Sequence, residues 1–153
     1  MENKTCCFTG HREIPQEKRP EVEAALKAEI ETAIKDGYTR FITGLAEGAD
    51  LIFAALVAEL KDHTPGLRLE GAVPYVGRLY RQDPAFLDLA AACDGMKIMS
   101  ETNTRDCYHA RNRYMVDESS RVIAVYDGRE RGGTAYTLRY AKKQGKEARI
   151  ITI

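Results

Sequence analysis

The segment VIAVY, Val122 to Tyr126, constrains the fold most, because five apolar residues run together with no polar alternation. A strand with water on one face alternates, so an unbroken run of branched and aromatic residues points to a strand covered on both faces. Other short segments also read as strands: TCCFT (5–9), TRFIT (39–43), LRLEGAVPY (67–75), a weaker MKIM (96–99) and ARIITI (148–153).

Helix-patterned segments separate these strands. Val22, Leu26, Ile30 and Ile34 recur every four residues between Pro20 and Gly37, which mark the start and stop of a helix. From Asp50 to Lys61 apolar residues cover most of a helical circumference, as in a heavily packed helix. Asp83 and Pro84 read as N-cap and first position of a helix closed by Gly95. Further helices are expected over about 109–118 and 134–143, the last ended by Gly145. Strands alternating with helices need crossover connections, which place helices on both faces of a sheet. The expected fold class is therefore α/β, a doubly wound, mainly parallel sheet with helices on both faces, in a single domain spanning 1–153.

A chain of 153 residues with 44% apolar and 30% charged content fits one globular domain. Acidic and basic residues balance at 23 each, so no global field favours a nucleic-acid backbone and any basic pocket must be local. The longest apolar run, LIFAALVA (51–58), falls short of the roughly 20 residues of a membrane span. The N-terminus lacks a signal-peptide pattern, so a cytoplasmic location is expected. Cys6, Cys7, Cys93 and Cys107 show no paired spacing and read as reduced thiols packed like small apolar residues. Cys107 and His109, with Cys93 or His11, match no recognised ligand spacing, so no metal is expected.

In a doubly wound sheet, ligands bind beyond the carboxyl ends of the strands. The loops that matter are then TGHRE, TGLAEGAD, SETNTRDCYHARN and DGRERGGT. Gly10 lets the chain turn, Arg12 offers a planar fork suited to phosphate, and His11 could hydrogen-bond or stack on a base; the alternative is a solvated turn. Gly44 and Gly48 allow close backbone approach to a ligand, and the following helix would aim N–H groups at an anion. Equally, they could only make a tight turn with Asp50 as N-cap. Gly132 and Gly133 repeat the design before Thr134, whose hydroxyl could cap the helix or donate to a phosphate. Arg111, Asn112 and Arg113 begin a helix on which only one of the two arginines can face a pocket. Glu47 and Asp50 are the candidate catalytic carboxylates, able to bind ribose hydroxyls or act as a general base. Most tyrosines read as packing residues, with Tyr75 and Tyr108 the exceptions in ligand-side loops.

The segments CCFTGHR, FITGLAEGADL, ARNRYMVDESSRVIAVYDG and GGTAYTLRYA together resemble the YpsA-like family of the SLOG superfamily. That Rossmann-like group also includes the DNA-processing protein DprA and the LOG phosphoribohydrolases. The resemblance spans nearly the whole chain and implies a Rossmann-like fold with a glycine-loop pocket for a nucleotide or nucleotide derivative. The LOG members cleave the N-glycosidic bond of nucleoside monophosphates with an arginine and a glutamate. By that likeness Arg111 takes the arginine position, Gly133 and Thr134 the phosphate-binding turn, and Thr137 the place of the glutamate. A threonine cannot serve as that carboxylate, which puts the LOG reaction in doubt and leaves Glu47 as a substitute source.

The leading expectation is a sensor or regulatory protein that binds a nucleotide or nucleotide derivative, with no further cofactor implied. A nucleotide-processing hydrolase of the N-glycosidase kind comes second, and a single-stranded DNA-binding or structural interaction protein third. Neutral charge and the absence of a basic stripe with interleaved aromatics argue against a nucleic-acid partner. A homo-oligomer is compatible with such a fold, though no exposed apolar stripe locates an interface.

Overall fold

Cys6 and Phe8 point to one side of the first strand and Cys7 to the other, and all three are fully buried. That alternation is possible only in a strand packed on both faces. The computed structural model describes residues 3–153. Its strands are β1 (Lys4–Gly10), β2 (Tyr38–Thr43), β3 (Arg68–Val73), β4 (Gly95–Ile98), β5 (Arg121–Tyr126) and β6 (Glu147–Thr152). They form one sheet in the order β4-β3-β2-β1-β5-β6, and every pairing is parallel, so the expected mainly parallel sheet is wholly so.

The helices are α1 (Arg19–Lys35), α2 (Ala49–Lys61), α3 (Pro84–Ala92), α4 (Cys107–Asp117) and α5 (Gly133–Lys143). Val22, Leu26 and Ile30 of α1, Phe53 and Val57 of α2 and Phe86 of α3 bury against Phe8, Phe41 and Leu69 on one face of the sheet. Phe53 stacks on Phe8 with centroids 4.8 Å apart and leans on Phe41 at 6.2 Å. Each such ring buried contributes about 1.5–3 kcal/mol. Met115 and Val116 of α4 and Ala141 of α5 cover Cys7, Ile42 and Val122 on the other face. This is the doubly wound, Rossmann-like α/β fold.

Several boundaries shift by one or two residues, among them β3, which stops at Val73 short of Pro74 and Tyr75, and α4, which starts at Cys107. Gly95 opens β4 rather than closing α3, which ends at Ala92. Asp94 explains the early stop: its backbone N–H donates to the Leu69 carbonyl, and its carboxylate accepts from the Leu69 N–H, drawing the chain into the sheet. Asp83 does cap α3, accepting from the Phe86 N–H. No helix among the described residues is long and apolar enough to cross a membrane.

The chain walks outward from β1 to β4, then returns to lay β5 on the far side of β1. Strand order therefore reverses between β1 and β5, where loops leaving the two strands diverge and leave a crevice.

Candidate functional site

A cavity of about 910 Å³ occupies that crevice. Of the candidate ligand residues, Gly10, His11, Arg12, Asp50, Arg111, Asn112, Gly132, Gly133 and Thr134 all line it. Gly44, Glu47 and Gly48 do not.

The two glycine loops do different work. Gly48 has φ +78°, and a Cβ there would lie 2.2 Å from the Arg12 carbonyl oxygen. The loop before α2 is thus pressed onto the loop after β1, and the first N–H of α2, at Ala49, donates to the His11 carbonyl. The opening of α2 is committed to the protein. Gly48, not Asp50, stands at its N-cap, and within the same loop Leu45 takes left-handed backbone at φ 55°. Gly44 supplies space instead: a Cβ would lie 2.8 Å from both Arg111 Nη1 and Asp50 Oδ2.

The opening of α5 is uncommitted. Gly132, at φ +106°, takes the N-cap position with no side-chain cap, and the first bonded amide is Tyr136 N–H to the Gly132 carbonyl. The N–H groups of Gly133, Thr134 and Ala135 have no partner among the described residues. Thr134 does not cap; its hydroxyl accepts at 3.4 Å from Thr9. A Cβ at Gly133 would meet only Asn112 Nδ2, at 3.7 Å, so this backbone faces open space.

Arg111 is only 6% exposed. Its Nε donates to Asn112 Oδ1 at 2.8 Å, and its Nη1 donates to the carbonyls of Gly44 at 2.9 Å and Ala72 at 3.2 Å. Its Nη2 has no partner among the described residues. Arg113 points elsewhere, to Tyr136 and Asp106, as helical geometry requires. Asp50 is buried beneath the same guanidinium, with Oδ2 accepting from the Ala46 N–H at 3.1 Å. Burial pushes its carboxyl up to about 6, against the pull of Arg111. The same burial lowers the Arg111 pKa, with Asp50 opposing.

His11 Nε2 meets Asp127 twice, 3.1 Å from its backbone N and 3.2 Å from Oδ1, and burial with nearby Arg129 lowers the His11 pKa against the pull of the Asp127 carboxylate. Arg12, by contrast, is exposed and makes no ion pair among the described residues. Its guanidinium lies 5.9 Å from the Tyr108 ring centroid, Arg111 lies 5.8 Å from the same ring, and Tyr75 meets Tyr108 edge-on at 6.3 Å.

Glu47 is 65% exposed and turns outward, 3.6 Å from Arg81. Thr137 is fully buried and donates its hydroxyl to the Gly133 carbonyl at 2.7 Å, so the position resembling the LOG glutamate points into the protein. Cys6 and Cys7 are buried thiols raised by desolvation, Cys7 to about 12, hence inert. Among the described residues no three His, Cys, Asp or Glu side chains group in a way that could hold a metal ion. Asp127 went unnoticed in the sequence, and His109 and Tyr136 were weighed only as metal-ligand and packing residues; no local pattern marks their joint placement.

A family model, YpsA, described as the YspA SLOG family, matches residues 6–153. The chain belongs to the YpsA SLOG family. No curated protein matches it. Among solved structures this YpsA family member is similar to DNA processing protein A from Helicobacter pylori, described for its single-stranded DNA binding mode. The TM-score is 0.67 at 19% identity, over 96% of this chain and 64% of that one. It is also similar to TM1055, with a TM-score of 0.58 at 17% identity, over 95% of this chain and 72% of that one. Identities this low establish the shared fold.

The first likeness corrects the expectation against a nucleic-acid partner, because it shows this fold in a protein that binds single-stranded DNA. Whole-chain neutrality was the wrong quantity. Arg12, Tyr75, Tyr108 and Arg111 are scattered in the sequence yet interleave charge and aromatic rings at one end of the sheet.

Proposed function

We propose that the YpsA-family cavity binds a nucleotide or nucleotide derivative through its phosphate, and that the protein serves as a sensor or regulator. The observation that carries this reading is the opening of α5: the backbone N–H groups of Gly133 and Thr134, residues that line the cavity at the switch point, have no partner among the described residues and sit on the positive end of a helix dipole. Arg12 and Arg111, the latter with Nη2 unpartnered among the described residues, line the same cavity and would supply charge-assisted bonds to phosphate oxygens. The volume, about 910 Å³, suits a ligand of nucleotide size. Mass spectrometry of small molecules released from the purified protein, followed by thermal shift against nucleotides, tests the reading. A nucleotide that stabilises the protein and is recovered intact is the expected result; no shift with any nucleotide would sink it.

A hydrolase remains the second reading, favoured by one observation: Asp50, raised to about 6, is a carboxyl in the cavity lining that can hold or release a proton near neutral pH. Free base released from a nucleoside monophosphate, and its loss in Asp50→Asn but not in Glu47→Gln, would replace the sensor by an N-glycosidase. Single-stranded DNA is a third reading, supported by the arginine and tyrosine cluster around Tyr108.

A further inference from the structure

His109 on α4 and Tyr136 on α5 stack with centroids 3.9 Å apart and planes within 8°. Arg113 fixes the lower ring, Nη1 donating to Tyr136 Oη at 2.9 Å and Nη2 donating to Asp106 Oδ2 at 2.6 Å. His109 makes no hydrogen bond among the described residues, is exposed, and lines the same cavity as Arg12 and Thr134. Tyr136 covers one face of the imidazole, while His109 itself stays exposed at the cavity wall. Tyr136 lies three residues after Gly133, so the stack sits about one helical turn, or roughly 5 Å, from the free amides of α5.

The geometry points to a nucleobase subsite: the base of the bound nucleotide stacks on the His109 face opposite Tyr136 while its phosphate meets the start of α5. This rests on the nucleotide reading above and deepens it by assigning the end of the ligand that the phosphate site leaves free. The platform is preformed, since the imidazole is already held parallel to a ring that is itself tethered, so little side-chain freedom is lost when a third ring is added. A stacked ring tolerates any planar heteroaromatic base and makes no demand on its hydrogen-bonding edge.

Calorimetric titration of the full chain with adenosine 5′-monophosphate and with ribose 5-phosphate tests this. His109→Ala is expected to weaken adenosine 5′-monophosphate about tenfold, to leave ribose 5-phosphate affinity and the melting temperature unchanged, and His109→Phe to restore the loss. In the wild type, the imidazole proton resonances of His109 should move upfield on binding the nucleotide and stay in place with the sugar phosphate. Unchanged nucleotide affinity in His109→Ala, or an equal loss for both ligands, overturns the subsite. Equal wild-type affinity for the two ligands overturns it while leaving the phosphate site standing, whereas binding of neither overturns both.

Discussion

At Asp50, burial and a neighbouring arginine pull in opposite directions, and burial wins, raising the carboxyl from 3.8 to about 6. The folded state therefore holds a proton more tightly than the unfolded chain does. The stabilisation this gives is fully present below the unfolded pKa and is lost as pH rises through the folded one, with a size on the order of 2–3 kcal/mol. Asparagine cannot titrate, so wild-type stability minus Asp50→Asn stability should fall between about pH 4 and about pH 6 and then level off. Urea unfolding of both proteins across that window checks it; a flat difference would mean that Asp50 titrates as in water. Losing the counter-charge to Arg111 shifts the whole curve but not its slope. At this scale the placement of Arg12 and Arg111 at the cavity was legible, because both lie in or just after loops at the ligand-side end of the sheet. Asp127 was not, since its backbone N–H reaches the His11 ring across 116 residues of sequence.

The elements show why two similar glycine loops behave differently. Both sequences place glycines before a helix, but α2 gives its first N–H to the His11 carbonyl while α5 keeps its first three free. Gly48→Ala should therefore cost about 2–4 kcal/mol, because it forces a side chain into left-handed backbone and against the Arg12 carbonyl. Denaturant unfolding would read that loss directly. Gly133→Ala has only an ordinary contact with Asn112 to satisfy and should keep the wild-type melting temperature. It should nonetheless weaken phosphate-bearing ligands about tenfold by lifting them from the amides, as titration calorimetry would show. Full affinity in Gly133→Ala would remove the phosphate from α5. The positions of β1, β5 and α2 could be read from apolar periodicity because burial writes itself into local pattern. Which helix opening stayed free could not, because it depends on how the loop after β1 packs onto the loop after β2.

For the molecule as a whole, the relevant charge is that of one end of the sheet. Net neutrality hides a cavity where Arg12 and Arg111 flank Tyr108, and where the α5 dipole adds its positive end. A mononucleotide carries no condensed counterion atmosphere, so its binding should release few ions, whereas a single strand loses affinity with a slope of about −0.7 per phosphate contacted. Affinity for adenosine 5′-monophosphate is thus expected to fall by less than about fivefold for a tenfold rise in salt. At 100 times its dissociation constant the ligand should stabilise the fold by about 2.7 kcal/mol, a shift of roughly 5–10 °C for a chain of this size. Thermal shift at two salt concentrations measures both quantities at once. A steep slope for a single-stranded oligonucleotide beside a shallow one for the mononucleotide would mean that the strand follows the cluster around Tyr108 through several phosphates. Equal shallow slopes would mean that only its terminal nucleotide enters the cavity, which separates a strand-binding surface from a nucleotide pocket within the same fold.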